Sequence, residues 1–262
     1  MSCFRRELLL YDSKEVLFQE TFLNACYLIT MEESERREKY IQQLDTYKPF
    51  NKVQIIHNKG WRKCQKNCRI QNTVDDLSDV YAQIFLECLH NNQDNVLVFE
   101  DDFFFTESLE SIRESIREIQ MFLLHHSDYM TYNLGAIPYF MYPESRSMNH
   151  YYYKGGVAHS VVYSKQYMVE YVTHYETMNC LSDIFWNRFK NNYTYYKPLC
   201  FQLFPQTENS TNWSSIVHIQ PLLSRVFKAD QTHEYFFPFM YTFAKTWYVI
   251  VLSVLFKRIR NH

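Results

Sequence analysis

Only 4 of the 262 residues are glycine. Tight phosphate-cradling turns therefore have little to be built from, and neither G-x-G-x-x-G nor G-x-x-x-x-G-K-[ST] occurs. A Rossmann dehydrogenase and a P-loop NTPase are both argued against. Excess positive charge is also lacking. The formal net charge is -2, so no global basic field exists to attract nucleic acid, and no nucleic-acid partner is expected. An anionic substrate must then be met by a local cation or a bound metal. The 7 cysteines lack zinc spacing: Cys64-x-x-x-Cys68 is the one tight pair, and no second pair or H-x-x-x-H completes a set. Such scattered thiols suit a reducing compartment. The first residues, MSCFRRELLLYDSKEV, hold only a short apolar run followed by charges. No cleavable signal peptide is expected from them, and the cytoplasm or the cytoplasmic face of a membrane is the expected location. The N-x-[ST] triplets at Asn192, Asn209 and Asn212 are read as chance on the same ground.

What is present suits a globular protein with a sizeable core: 47% hydrophobic, 18% aromatic and 21% charged residues. Apolar runs at 25–29, 53–56, 96–99, 129–134 and 157–163 read as strands. Between them, 3.6-residue periodicity over 34–44, 73–89, 106–123 and the stretch after Ser164 reads as helices. Their alternation predicts a layered α/β fold. The expected organisation is a leader over 1–24, a main domain over 25–225 and a hydrophobic tail over 226–262. The segment 57–72 reads as a polar, basic loop with Lys59, Arg62, Lys63, Lys66 and Arg69.

The run Val96-Leu97-Val98-Phe99 stops at Glu100-Asp101-Asp102. A strand ending in acids places them at the carboxyl edge of a sheet, where α/β proteins bind ligands. Three adjacent acids repel one another unless something cationic sits among them. A hard divalent ion, Mn2+ or Mg2+, meets that need and bridges phosphate oxygens. Alternation along an extended chain points Glu100 and Asp102 one way and Asp101 the other. A solvated acidic turn ahead of the next helix explains the same run without a metal. A phospho-receiver domain does not, because Asp128 opens the next strand instead of closing it. A nuclease or nucleotidyltransferase is disfavoured by the weak basic balance.

The segment from Val96 to Phe103 resembles the LVLEDDV signature of family 25 glycosyltransferases, the lipopolysaccharide and collagen galactosyltransferase group. Other segments follow in the family's order. Cys26 to Thr30 with Ser34-Glu35-Arg36-Arg37 is similar to its opening strand and helix start, and Asp76 to Leu89 occupies the place of its next helix. Tyr132 to Gly135 resembles its strand end in Leu-Gly, and Gly156 to Ser164 its GTHAYxxS segment. Leu181-Ser182-Asp183 and Pro205-Gln206 with Ser210 match its closing elements. The departures are Thr73-Val74-Asp75-Asp76, where a Ser-His pair is expected, and Thr30-Met31, where Asn-Leu is expected.

The resemblance implies a GT-A-like fold, with a mixed central sheet flanked by helices. It implies a metal-dependent and inverting hexosyl transfer, of galactose or glucose, from a nucleotide-sugar donor to a glycan, glycolipid or glycoprotein hydroxyl. On that basis Asp102, with Glu100, would ligate the metal, and Glu100 or Asp101 would reach the ribose. Thr30, Arg36, Arg37, His159, Gln206 and Ser210 would line the donor site. Asp183 would be the base for the acceptor hydroxyl. Local alternatives stand beside these roles: an N-cap for Asp183, a hydrogen-bonded core histidine for His159 and a solvated helix face for Arg36 and Arg37. Lys59, Arg62 and Lys63 are further candidates to contact a diphosphate. The departures keep open a binding protein of the same fold that has lost turnover and is tethered by its tail.

That tail is apolar over 236–256, a length able to cross a bilayer of about 30 Å. Lys245 and Pro238 interrupt it. Two readings remain: an interfacial helix over 236–260 whose terminal cations meet anionic lipid, or a helix buried against the domain.

Overall fold

A computed structural model describes residues 3–177, 185–203 and 233–260. Nine of the described strands form one mixed sheet: β1 (Phe4–Leu10), β2 (Ala25–Met31), β3 (Lys52–Asn58), β4 (Asn95–Glu100), β6 (Thr131–Asn133), β7 (Ile137–Pro143), β8 (His150–Gly156), β9 (Ser160–Ser164) and β10 (Asn192–Tyr195). Their spatial order is β1-β3-β2-β4-β9-β6-β10-β8-β7. The short β5 (Phe103–Phe105) and β11 (Cys200–Gln202) form a separate antiparallel ribbon. The helices are α1 (Arg37–Tyr47), α2 (Thr73–His90), α3 (Leu109–Leu124), α4 (Lys165–His174) and α5 (His233–Arg260). The fold is mixed α/β with a central sheet flanked by helices, as the alternating sequence pattern predicts.

Strands β2, β3 and β4 are mutually parallel, and β9 runs antiparallel to both β4 and β6. β6 therefore points the same way as β4. Four strand ends, at Met31, Asn58, Glu100 and Asn133, lie along one edge of the sheet, and this edge positions the candidate site.

Alternation divides the sheet's side chains between two cores. Cys26, Leu28, Val53, Ile55, Leu97 and Phe99 face α1 and α3, while Tyr27, Ile29, Ile56, Val96 and Val98 face α2, α4 and α5. Being covered on both faces is why the β4 sequence is a continuous apolar run. The helix starts follow capping chemistry. Asn72 Oδ1 accepts from the Val74 and Asp75 amides at 2.9 Å and caps α2. Ser108 and Ser164 cap α3 and α4 in the same way.

Several features depart from expectation. Phe4–Leu10, in the segment read as a leader, is an edge strand in full antiparallel register with β3. That pairing carries Cys3 to residue 59, with Lys59 N donating to Cys3 O at 3.2 Å. Cys3 is then disulfide-bonded to Cys64, across a sequence separation of 61. The reading of all seven thiols as free is corrected: Cys26, Cys68, Cys88 and Cys200 are free among the described residues. Spacing along the chain could not reveal a partner supplied by strand pairing, and the argument for a reducing compartment loses its support. The hairpin of β7 and β8 carries too little alternation to be seen in sequence. Asn192 is fully buried and donates to the Trp186 and Phe189 carbonyls at 2.7 and 2.9 Å, which leaves its amide no room for a glycan. Asn209 and Asn212 lie outside the described residues.

The tail forms α5, whose inner face packs on β7. Phe237, Tyr241 and Ala244 are buried, and the Tyr241 hydroxyl lies 2.7 Å from Thr194 Oγ1 and 3.1 Å from the Ala136 amide. Among the described residues no helix is long and apolar enough to cross a membrane.

Two deeply placed histidines give the fold an acid-sensitive element. Burial lowers both His150 and His159 to about 4 from an ordinary 6.5. Below pH 6.5 the unfolded chain takes up protons that the folded chain refuses, so stability falls as pH drops from about 6.5 to about 4. Each histidine contributes a slope of about 1.4 kcal/mol per pH unit in that window. Urea unfolding at stepped pH is expected to show falling midpoints at constant m-value, and a flat profile there would contradict their buried, neutral state.

Candidate active site

The acids at the end of β4 do not alternate as an extended chain would. The strand stops at Glu100, and Asp101 and Asp102 form a turn into β5. Glu100 turns toward α2, where the buried Tyr81 hydroxyl donates to its Oε1 at 2.9 Å. Asp101 and Asp102 turn the other way, toward the loop that joins β2 to α1.

Asp101 is heavily engaged. Its Oδ2 accepts from Thr30 Oγ1 and from Ser34 Oγ, each at 2.7 Å. Its Oδ1 accepts from Arg36 Nη1. Three donors, one of them a guanidinium, offset the cost of placing this charge near the core. Asp101 thereby ties β4 to the β2–α1 loop.

Asp102 is different. It is only 6% exposed, and its Oδ2 accepts one bond from Gln202 Nε2 at 3.0 Å. Arg36 Nη1 approaches that oxygen only to 4.0 Å. Its Oδ1 is buried without a hydrogen-bond partner. Burial, and then the neighbouring Asp101 charge, push its carboxyl up to about 7. An unpaired buried carboxylate oxygen is costly unless a cation meets it.

The β5–β11 ribbon encloses Asp102. Leu203 N donates to Asp102 O at 2.7 Å, and the Leu199 and Cys200 amides donate to Leu134 O at the end of β6. Gly135 permits that approach, since a Cβ there would lie 1.6 Å from the Cys200 carbonyl oxygen. His159 completes the wall. Its backbone oxygen accepts from the Glu100 amide at 3.0 Å, and its Nε2 lies 3.2 Å from Cys200 O. His159 Nδ1 and Gln202 Oε1 are also buried without partners. Just before it, Val157 holds φ +70°, a strained conformation for a β-branched residue, of the kind that gathers near functional sites. Three unsatisfied buried polar atoms thus sit on Asp102 and on two residues of the elements enclosing it.

The other sequence candidates divide. Thr30, Arg36, Glu100, Asp101, Asp102 and His159 assemble at this edge. Arg37 turns to the outer strand β1, where its guanidinium donates to both Glu7 oxygens at 2.9 and 2.6 Å. Lys63 pairs with Glu33, and the Arg62 guanidinium lies 5.1 Å from the Trp61 ring centre. Their loop leaves β3 at the same sheet edge, pinned by the Cys3–Cys64 disulfide and by the buried Lys66–Asp76 pair. Asp183, Gln206 and Ser210 lie outside the described residues. Sequence reasoning missed Gln202 and the role of Tyr81. No motif marks Gln202, and Tyr81 reads as one more apolar position on the α2 stripe.

The donor set fits a divalent ion in one limited way: one buried, open carboxylate oxygen at Asp102, next to positive charge that would also suit phosphate. Among the described residues no group of three or more His, Cys, Asp or Glu converges on a point. Most of an ion's coordination would have to come from phosphate and water, as magnesium sites on nucleotides allow.

No protein-family model matches the chain, and no curated protein matches it by sequence. Among the solved structures that match it in part are the following two. Protein A197 from STIV has a TM-score of 0.34 and 9% identity, over 70% of this chain and 86% of its own. A mannose-1-phosphate geranyltransferase from Thermus thermophilus has a TM-score of 0.38 and 11% identity, over 65% of this chain and 72% of its own.

Proposed function

We propose that the chain is a metal-dependent glycosyltransferase that holds the diphosphate of a nucleotide-sugar at Asp102. The observation that supports this most is the buried, unpartnered Oδ1 of Asp102 at the carboxyl edge of the central sheet. In this reading Asp102 is one ligand of Mn2+ or Mg2+, which offsets charge developing on the departing diphosphate. Arg36 holds Asp101 and stands within 4.0 Å of Asp102, so it orients the acidic turn and adds positive charge beside the phosphates. Thr30 and Ser34 fix that turn through Asp101. Tyr81 holds Glu100 toward α2, away from Asp102, so Glu100 is not part of the proposed metal-ligand set. The fully buried His159 backs the wall behind Asp102, and its donor contact is proposed through the motif resemblance. Asp183 remains the proposed base, and Gln206 and Ser210 remain proposed donor contacts, all through the motif resemblance to family 25. The acceptor is a hydroxyl of a glycan, glycolipid or glycoprotein.

A binding protein without turnover is the second reading. It is favoured by Asp101, which is fully occupied by structural hydrogen bonds. Thermal denaturation with Mn2+ and a panel of nucleoside-diphosphate sugars tests the first part. At a ligand concentration 100 times Kd, stabilisation of about 2.7 kcal/mol is expected, and it should require metal and donor together. No shift with any donor sinks the nucleotide-sugar reading. Stabilisation without sugar release or transfer favours the second reading.

A further inference from the structure

We infer that the outer face of α5 is a docking surface for an anionic lipid bilayer, on which the helix lies without crossing it. This stands independently of the transferase reading.

Tyr235, Phe239, Phe243 and Trp247 recur every four residues and are all exposed, with Val249 and Ile250 extending the stripe. Phe243 and Trp247 are each 48% exposed, although aromatic side chains of this size are normally withdrawn from water. A contiguous apolar stripe on a helix marks an interaction surface. Its opposite face is already fastened to the domain by Phe237, Tyr241 and Ala244, so the exposed stripe is not a core face left bare by mistake of register.

Three features select a bilayer as the occupant. First, the polar residues on the outer face conceal their donors. The Thr242, Thr246 and Ser253 hydroxyls donate to carbonyls one turn back, at 2.9, 2.8 and 2.8 Å. A face so arranged enters an apolar medium at little polar cost. Second, the chain from Tyr235 onward contains no acidic residue, while Lys257, Arg258 and Arg260 follow the stripe on continuing helical backbone. That charge complements anionic headgroups. Third, the remaining cation is not placed to oppose insertion. Lys245 turns inward, donating to Tyr196 O and lying 4.8 Å from the Tyr151 ring centre.

The helix also touches the acidic edge. Phe237 packs against His159 and Phe201, with ring centres 5.8 and 5.2 Å apart. Docking through α5 therefore holds that edge close to the membrane surface.

The test is co-sedimentation of the full chain with vesicles of phosphatidylcholine mixed with phosphatidylserine, against vesicles of phosphatidylcholine alone. Binding is expected to favour the anionic vesicles by roughly tenfold or more and to weaken with salt. The double variant F243S/W247S should lose roughly tenfold in partitioning while its thermal midpoint stays at or above that of the wild type. Replacing Lys257, Arg258 and Arg260 with Gln should remove the preference for phosphatidylserine. Absence of binding to either vesicle overturns the inference, as does undiminished binding by F243S/W247S. Concentration-dependent dimerisation of the lipid-free chain that F243S/W247S abolishes would also overturn it, since the stripe would then be a contact between copies.

Discussion

Asp102→Asn is expected to abolish the stabilisation by Mn2+ and donor while leaving the metal-free protein as stable as the wild type or more so. The two effects have one cause. The wild-type carboxylate is buried beside Asp101, and its single bond comes from Gln202. Its carboxyl is raised from 3.8 to about 7, so the folded chain holds a proton that the unfolded chain has released. The sign follows: this group favours folding below about pH 3.8, and that contribution is lost as pH rises toward 7. An amide of the same shape carries no charge to desolvate, so the metal-free variant should gain most over wild type at and above neutrality. The same amide is a poor ligand for a hard cation. Turnover should fall by roughly 100-fold or more, the scale of several kcal/mol of lost charge stabilisation. Denaturation at pH 5 and pH 8 with and without metal and donor, together with sugar-transfer assays, separates these terms. A variant that retains full donor stabilisation removes Asp102 from the site. A variant destabilised at both pH values makes Asp102 a structural group.

Gly135→Ala is expected to produce the largest loss of stability of any single methyl added near the site. The new Cβ would meet the Cys200 carbonyl oxygen at 1.6 Å and the Cys200 carbonyl carbon at 2.6 Å. Both are backbone atoms, and neither can rotate away. The end of β6 and strand β11 must separate, which breaks the Leu199 and Cys200 bonds to Leu134 O. Overpacking of this kind costs about 1–3 kcal/mol and occasionally more. For a chain of this size each kcal/mol lowers Tm by roughly 2–4 °C. β11 also carries Gln202, so donor-dependent stabilisation should be lost beyond what the lower Tm explains. A variant with unchanged Tm would show that the ribbon is free to move.

Much of the architecture was legible in the chain. The apolar runs at 25–29, 53–56 and 96–99 became β2, β3 and β4 because those strands are covered on both faces, and continuous hydrophobicity records that. The amphipathic periodicity over 73–89 and 106–123 became α2 and α3 because one helical stripe must face the sheet. β6 lay within the run at 129–134, but the β7–β8 hairpin was not read. Its side chains are packed by partners distant in sequence, such as Tyr248 from α5 against Phe140 and Tyr142 of β7.

The acidic cluster shows the same division. The sequence by itself determined that three acids follow a buried strand, and hence that they stand at the carboxyl edge of a sheet. It could not determine what each acid meets. That was decided by a turn after Glu100, by Arg36 and Ser34 arriving from the β2–α1 loop, and by Gln202 arriving on a ribbon 100 residues further on. Neighbouring residues with the same chemistry acquired opposite states, Asp101 saturated with donors and Asp102 with an open oxygen. Burial and hydrogen bonding depend on partners that are adjacent only in space. For the same reason the pairing of Cys3 with Cys64 was invisible until β1 lay beside β3.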